Sequence, residues 1–386
     1  MLAVISDDFT GASEIAGIAL AKGYSTVIET RSIRRTDADV LVIATDMRSL
    51  DPESAARKSA QLTSEVLKLQ PDLIFKKVDS VLRGNVGPEL EAQMKAEHKD
   101  AALLIPANPS RKRTISGGVY FVDGKPVVES GFAQSRDFAF PSSSVVDILM
   151  SSGASNASCI SLDDPLDTNG LFVGNTGSSE DMAGWVSRVS DRLVPAGAAD
   201  FFAALLDTRT AAAPLNGADR LLERESRRLY LCGSNFPSSR DSVEEARLRG
   251  VCVAAMPDEI YFSEQLDQRE LDNWAAEVIV SLVTTNSVIV AAPQVPAEHS
   301  LSGSQITKAM AEVARQVVGY DAVSELMIEG GATSQAVMTA LNINCLYPTQ
   351  RIAPGVTRMR VDGYPNLHIT MKPGSYRWPD EIWDFT

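Results

Sequence analysis

Short apolar runs alternate with amphipathic stretches of helical length along most of the chain, and this alternation limits the fold more than any other feature. In the first half LAVIS, STVIET, DVLVIATD, DLIFKKVD and AALLIPA flank GASEIAGIALAKG, PESAARKSAQLTSEVLKL and GPELEAQMKAEHKD. Apolar runs this short suit strands buried on both faces, and strands joined through helices lie parallel in one sheet. Gly23 supplies a helix stop, and Pro52 and Pro88 stand where a first helical turn begins. Residues 117–130, GGVYFVDGKPVVES, are different, because two β-rich runs around Asp123-Gly124 predict a hairpin. The serine-rich residues 141–158 read as loop-bounded, after which a strand (GLFVGNTG) and two helices (EDMAGWVSRV, AADFFAALLD) resume the pattern.

Residues 207–219, DTRTAAAPLNGAD, combine small residues and a proline with no apolar period, and mark a domain boundary. A second series follows: RLYLCGS, VCVAAMP, SVIVAAP and LMIEGG as strands, with SSRDSVEEARLRG, LDNWAAEVIVSLV and QITKAMAEVARQVVG between them. The expected fold is two α/β domains with mainly parallel sheets, 1–210 and 220–386, with a small hairpin excursion in the first. A length of 386 residues allows each domain its own core.

The formal net charge of −14 repels a phosphate backbone and argues against a nucleic-acid partner. Four cysteines (Cys159, Cys232, Cys252, Cys345) show no paired spacing, so they read as reduced core residues. Three histidines (His98, His299, His368) lack metal-ligand spacing, and no protein-held metal site is assigned. No apolar run approaches the roughly 20 residues that span a bilayer, and acids arrive at Asp7 without a basic leader. These features predict a cytoplasmic protein with no membrane partner, acting on a small molecule. A homodimer stays open.

In an open parallel sheet, ligands sit at the carboxyl ends of the strands. The first strand ends on Asp7 and Asp8; VLVIATDMRS presents Asp46, Arg48 and Ser49; LIFKKVDSVLRGN presents Lys77, Asp79, Ser80, Arg83 and Asn85; LLIPANPSRKR adds Asn108 and a basic trio. Acids beside bases on four strand ends suit a ligand with one anionic group and several hydroxyls, since arginine forks a carboxylate and aspartate accepts from hydroxyls. The structural alternative is ordinary loop charge, with Asp8 or Thr10 merely capping the next helix. Capping explains one of the adjacent aspartates and not both. The second half offers glycine: LYLCGSNFPSS ends on Gly233-Ser234, and LMIEGGATSQAVMTAL turns through Gly330-Gly331 into a helix opened by Thr333 or Ser334. Exposed amides at that turn make a candidate phosphate site, and a plain turn capped by Thr333 is the alternative. Neither a Walker A loop nor a GxGxxG after a strand is present.

SDDFTGASE, KKVDSVLRGNVGPEL, CGSNFPSS, EGGATSQAV and PGV, in that order, resemble the conserved blocks of the four-carbon acid sugar kinase family. The resemblance implies a sugar-acid-binding domain over 1–210, a nucleotide-binding domain over 220–386, ATP with Mg2+, and threonate, erythronate or oxo-tetronate as substrate class. It assigns Asp8, Arg48 and Lys77, Val78, Asp79 and Ser80 to the acid sugar, and Ser234, Gly330, Gly331, Thr333 and Gly374 to ATP. Ala332 stands where the family has aspartate, KPGSYR replaces a glycine-richer turn, and Gly174-Asn175 replaces an aspartate-alanine pair.

The expected activity is ATP-dependent phosphorylation of a sugar-acid hydroxyl, with Asp7, Asp8, Arg48, Lys77, Val78, Asp79, Ser80, Arg83 and Asn85 around the acid. Arg48 and Lys77 hold its carboxylate, Asp8 or Asp79 serves as base, and Gly330, Gly331, Ala332 and Thr333 cradle phosphates. A non-catalytic sugar-acid-binding homologue, or a lyase or dehydrogenase on the same plan, are the rival readings.

Overall fold

A computed structural model describes residues 1–134, 138–166, 169–209, 226–234, 236–263, 265–293, 303–320 and 322–385. The chain divides into two compact units, Met1–Thr26 with Ile33–Pro214, and Val27–Ser32 with Leu215–Thr386. From residue 210 onward, the linker expected at 207–219 lies outside the described residues. No helix among the described residues is long and apolar enough to cross a membrane.

The first unit opens with β1 (Leu2–Ser6) and α1 (Phe9–Ala21), and β2 (Thr26–Glu29) passes almost wholly to the second unit. Then come β3 (Val40–Ala44), α2 (Pro52–Leu67), β4 (Leu73–Lys77), α3 (Val86–Ala96) and β5 (Ala101–Ile105). An antiparallel sheet of β6 (Arg113–Ser116), β7 (Val119–Val122) and β8 (Lys125–Pro126) follows. The unit ends with α4 (Val145–Ser151), β9 (Ala157–Ile160), β10 (Gly170–Gly174), α5 (Ser179–Ser187), β11 (Leu193–Gly197) and α6 (Ala199–Asp207). The strands run parallel in the order β3-β1-β4-β11-β5-β10-β9. Every residue of β1 and β3 is buried, as their unbroken apolar runs require.

The chain leaves β1 for β3 on one side and crosses back to β4 on the other, so β1 is the switch point at which such sheets bind ligands. Register reinforces this. Ser6 pairs with both Ala44 and Lys77, so the three loops after them emerge together. The hairpin expected over 117–130 forms between β7 and β8, with Asp123 and Gly124 at φ +50° and +78°, the left-handed pair a tight two-residue turn needs. β6 adds a third strand that the sequence pattern did not separate.

The second unit holds β12 (Arg228–Cys232), α7 (Pro237–Leu248), β13 (Cys252–Ala255), α8 (Asp258–Tyr261), α9 (Gln268–Thr285), β14 (Ser287–Ala291) and α10 (Gly303–Gly319). It continues through β15 (Glu325–Glu329), α11 (Gly331–Ala340), β16 (Cys345–Ala353), β17 (Val356–Val361) and β18 (Tyr364–Lys372). β13, β14, β12, β15 and β18 are parallel neighbours in that order, while β18, β17 and β16 form an antiparallel meander. Residues 28 and 29 of β2 pair antiparallel with β16. Tyr230 anchors the core, with Trp378 and Trp383 edge-on to its ring at 5.9 and 5.1 Å.

Adjacent lysines of β4 point to opposite faces. Lys76 lies in the layer between sheet and α3, paired with Glu89 at 2.5 Å, neither side chain more than 1% exposed. Removing one partner strands a charge in the core, whereas replacing both with apolar residues removes the desolvation cost as well. Lys76→Met is therefore expected to cost about 3–5 kcal/mol of unfolding free energy. Lys76→Met with Glu89→Leu should recover most of it in urea titrations, and additive losses would refute the pairing.

Candidate functional site

Asp8 is the N-cap of α1, accepting from the Gly11 amide at 2.8 Å through Oδ1 and from Thr10 Oγ1 at 2.7 Å through Oδ2. The capping alternative is thus correct as far as it goes, and Arg48 supplies the rest. From the 3₁₀ turn Met47–Ser49 that follows β3, Arg48 donates through Nε to Asp7 Oδ2 at 2.8 Å and through Nη1 to Asp8 Oδ2 at 3.0 Å. One guanidinium brackets both neighbouring carboxylates, and Asp79 Oδ1 stands 3.8 Å from the same Nη1.

The loop after β4 is built to hold Asp79. Arg83 forks it with Nε and Nη2, each at 2.8 Å, and its backbone amide adds a third bond at 3.1 Å. Closing that loop puts Leu82 at φ +64° and Gly84 at φ +88°. A Cβ on Gly84 would lie 2.7 Å from Arg48 Cγ, so glycine there lets the two loops touch. Asn85 spends its amide on the carbonyls of Met47 and Leu50, at 3.1 and 2.8 Å, and fixes the Arg48 turn. Val78 is buried, and its carbonyl accepts from Lys77 Nζ at 2.9 Å.

Lys77 shares the α1 face with Asp8: a Cβ on Gly11 would lie 2.6 Å from Asp8 Oδ1 and 3.0 Å from both Lys77 Nζ and Ser6 Oγ. Ser80 Oγ accepts from Arg113 Nη1, and Ser80 O from the Tyr120 hydroxyl, both from the small antiparallel sheet. Asp46 faces Lys58 at 2.9 Å and Asn108 Oδ1 accepts from the Asp200 amide at 3.0 Å, so neither joins the cluster.

Two of the expected site residues are already paired with each other. Asp7 was placed towards substrate hydroxyls, but its side chain is 3% exposed and faces Arg48; that of Asp8 is 12% exposed. Arg48 was placed as the carboxylate fork, but its Nε and Nη1 are spent on the two aspartates. Arg113, by contrast, went unassigned. Its only signal was its place as the last member of the basic trio, just before a β-rich run.

Burial by itself raises the Asp8 pKa, but Arg48, Lys77, Thr10 and the Gly11 amide outweigh it and hold the carboxyl below its ordinary value. For Asp79, burial is overcome by Arg83 and then Arg48, and the carboxyl lies far below the usual range. Burial opposes the Arg48 charge, and Asp7, Asp8 and Asp79 together raise its pKa well above normal.

In the second unit Cys232, Glu329 and Lys372 stand side by side at the ends of β12, β15 and β18. Beyond them run Gly233-Ser234, Gly330-Gly331 and Pro373-Gly374. Gly330, at φ +90°, is the N-cap of α11 and makes no side-chain cap; its amide donates to Lys372 O at 2.9 Å, and the space where a Cβ would stand is open. Thr333 is buried facing Gly233, 3.3 Å from where its Cβ would be, so it does not cap the helix. Gly374 packs on Ser234, whose Oγ would lie 2.7 Å from an added Cβ. Beneath these turns Lys372 Nζ pairs with Glu329 at 3.0 Å and donates to Tyr376 O at 2.7 Å. Among the described residues, no three His, Cys, Asp or Glu side chains gather to hold a metal.

A carboxylate whose pKa falls on folding stabilises the fold above its unfolded pKa, about 3.9 for Asp, and that support drains as pH drops below it. Asp79→Asn should therefore cost about 1.5–3 kcal/mol at pH 7, the range for hydrogen bonds to charged groups. The difference from wild type should shrink below about pH 4 in urea unfolding. A pH-independent difference would assign the loss to packing instead.

A family model described as a sugar-binding N-terminal domain matches residues 2–232, and one described as a nucleotide-binding C-terminal domain matches residues 229–376. A D-threonate kinase of Salmonella typhimurium is 35% identical over 150 residues, which is 38% of this chain and 35% of that protein. A D-erythronate kinase of Heliobacterium modesticaldum is 32% identical over 152 residues, again 35% of the relative's length, so both matches span about a third of those proteins. A 3-oxo-tetronate kinase of Brucella melitensis is 26% identical, with 97% of this chain and 92% of the relative aligned. Among solved structures, a Haemophilus influenzae DUF1537 protein superposes with a TM-score of 0.71 at 20% identity, covering 98% of each chain, a likeness of fold. Both halves of the chain match the two domain models in order, and the chain belongs to the four-carbon acid sugar kinase family.

Proposed function

We propose that the protein is an ATP-dependent kinase that phosphorylates a hydroxyl of a four-carbon sugar acid. The observation that carries this reading is the cluster at the carboxyl ends of β1 and β4: three fixed carboxylates, of which Asp8 is the most open, with the Lys77 ammonium on the same face. The substrate class is taken from the names of the relatives.

Phosphoryl transfer passes through a loose transition state, so the protein's work is positioning and charge stabilisation rather than strong base catalysis. Asp8 suits that role. Kept ionised by Arg48 and Lys77, it accepts the hydrogen bond of the acceptor hydroxyl and takes its proton as that oxygen bonds the γ-phosphorus and the bond to the leaving ADP oxygen breaks. Lys77 directs its remaining N–H groups at substrate oxygens, and Ser80 adds a hydroxyl. Asp79 and Arg83, bound to each other, shape the loop. Asp79 is thereby a poor base, and of the two aspartates Asp8 is the choice.

For ATP, the uncapped amides at the start of α11 and the glycine turns 233–234 and 373–374 form a backbone cradle for phosphates. Ser234, Gly330, Gly331, Ala332, Thr333 and Gly374 are the residues of that cradle. Glu329 is engaged by Lys372, and Ala332 has no carboxylate, so neither position offers a free carboxylate to a metal. Mg2+ would be held by the nucleotide phosphates, where it neutralises charge during transfer.

An ADP-release assay across four- to six-carbon sugar acids tests the reading. Wild type should release ADP with a four-carbon acid. Asp8→Asn should lower kcat by about 10²-fold or more while acid affinity changes only a few fold. No ADP with any acid, or an Asp8→Asn enzyme at wild-type rate, would refute it. A second variant probes the nucleotide. Gly330→Ala puts a Cβ on a residue at φ +90° and ψ 147°, a conformation essentially confined to glycine and costing about 1–3 kcal/mol, so the turn should shift and the KM for ATP should rise about 5- to 100-fold with the acid KM unchanged. Equal rises in both constants would contradict the assignment of that turn to ATP.

A further inference from the structure

We infer that Arg113 is the receptor for the substrate carboxylate and the residue that makes this kinase prefer an acid over a neutral polyol; the inference rests on the kinase reading above. Four cations and three carboxylates meet in the first unit's cluster. Arg48 is bracketed by Asp7 and Asp8, and Arg83 is forked onto Asp79. Lys77 lies in the field of Asp8. Of the three arginines, Arg113 alone forms no ion pair with a described carboxylate: its guanidinium donates to Ser80 Oγ and lies over the Phe132 ring, 4.8 Å from the centroid.

Its position is fixed from two directions. Backbone bonds of 2.9 and 3.1 Å tie Arg113 to Asn108, in the loop after β5. Phe132, in the 3₁₀ turn Gly131–Gln134, is shared with Arg83, whose guanidinium stands 5.5 Å from the same ring. Two guanidiniums on one ring repel each other, and only Arg83 is neutralised. Among the described residues, one half-buried guanidinium without a carboxylate partner therefore sits beside Ser80, its Nη1 donating to the hydroxyl.

The alternative receptor, Lys77, is worse placed for an anion. A carboxylate against Lys77 would lie beside Asp8 and would bury like charges together, whereas hydroxyls there find both a donor and an acceptor. The acid sugar is thereby oriented, with its carboxylate on Arg113 and Ser80 and its hydroxyls towards Asp8 and Lys77.

The test compares threonate or erythronate with threitol or erythritol, in which CH2OH replaces the carboxylate. Calorimetry and ADP release would be run on wild type, Arg113→Met and Arg113→Lys, with melting temperatures to confirm folding. Arg113→Met should weaken acid binding about 10- to 100-fold, the worth of a charge-assisted fork, and leave polyol binding within a few fold. Arg113→Lys should recover part of the acid preference, because it keeps the charge and loses the fork. Wild-type acid affinity in Arg113→Met, or equal losses for acid and polyol, overturns the inference while the kinase reading stands. No binding of any four-carbon acid by wild type overturns both.

Discussion

The first unit's site depends on one guanidinium set between two adjacent carboxylates. Asp7 and Asp8 follow a fully buried strand, where like charges repel and desolvation penalises each. Arg48 makes that arrangement tenable, bonding one oxygen of each at 2.8 and 3.0 Å. Everything near it serves its placement. The β1–β3 register brings its turn alongside Asp7, Asn85 ties that turn down, and Gly84 lacks the side chain that would push it away. With Arg48 satisfied, Asp8 stays ionised, its side chain the most exposed of the three carboxylates.

The two units treat charge at their strand ends in opposite ways. In the first, side chains carry it and remain partly accessible. In the second, the Glu329–Lys372 pair is sealed beneath the turns, each side chain 1% exposed, and the groups above it are backbone amides. Lys372 also donates to Tyr376 O, so the pair braces the turn that contains Gly374. Backbone amides at the start of a helix favour an anion whatever side chain stands at 332, so the alanine there leaves that feature of the turn in place.

Several elements were legible in the sequence because their signal is local. Five-residue apolar runs, Pro52 at the start of α2 and Asp123-Gly124 between β7 and β8 each state a backbone preference within a few residues. The meander of β16, β17 and β18 was not legible. Its register shifts around Pro348 and Arg351 interrupt the alternation that marks a strand. Nor does residue order reveal that 27–32 belongs with the second unit, since its partners lie at 342–346.

The site divides along the same line. By itself the sequence determined that acids, bases and glycines stand at the ends of parallel strands, because chain order and apolar period set which residues follow each strand. Only the tertiary structure decided which of these charges are paired, since pairing depends on distance in space. Asp7 turns inward to Arg48, Asp79 is locked to Arg83, and Asn85 ties down the turn that carries Arg48. Arg113, the last residue of a basic run, is left unpaired among the described residues at the cluster's edge. Pairing energies depend on distance and burial across residues 40 or more positions apart, as between Asp8 and Arg48, and no local pattern encodes them.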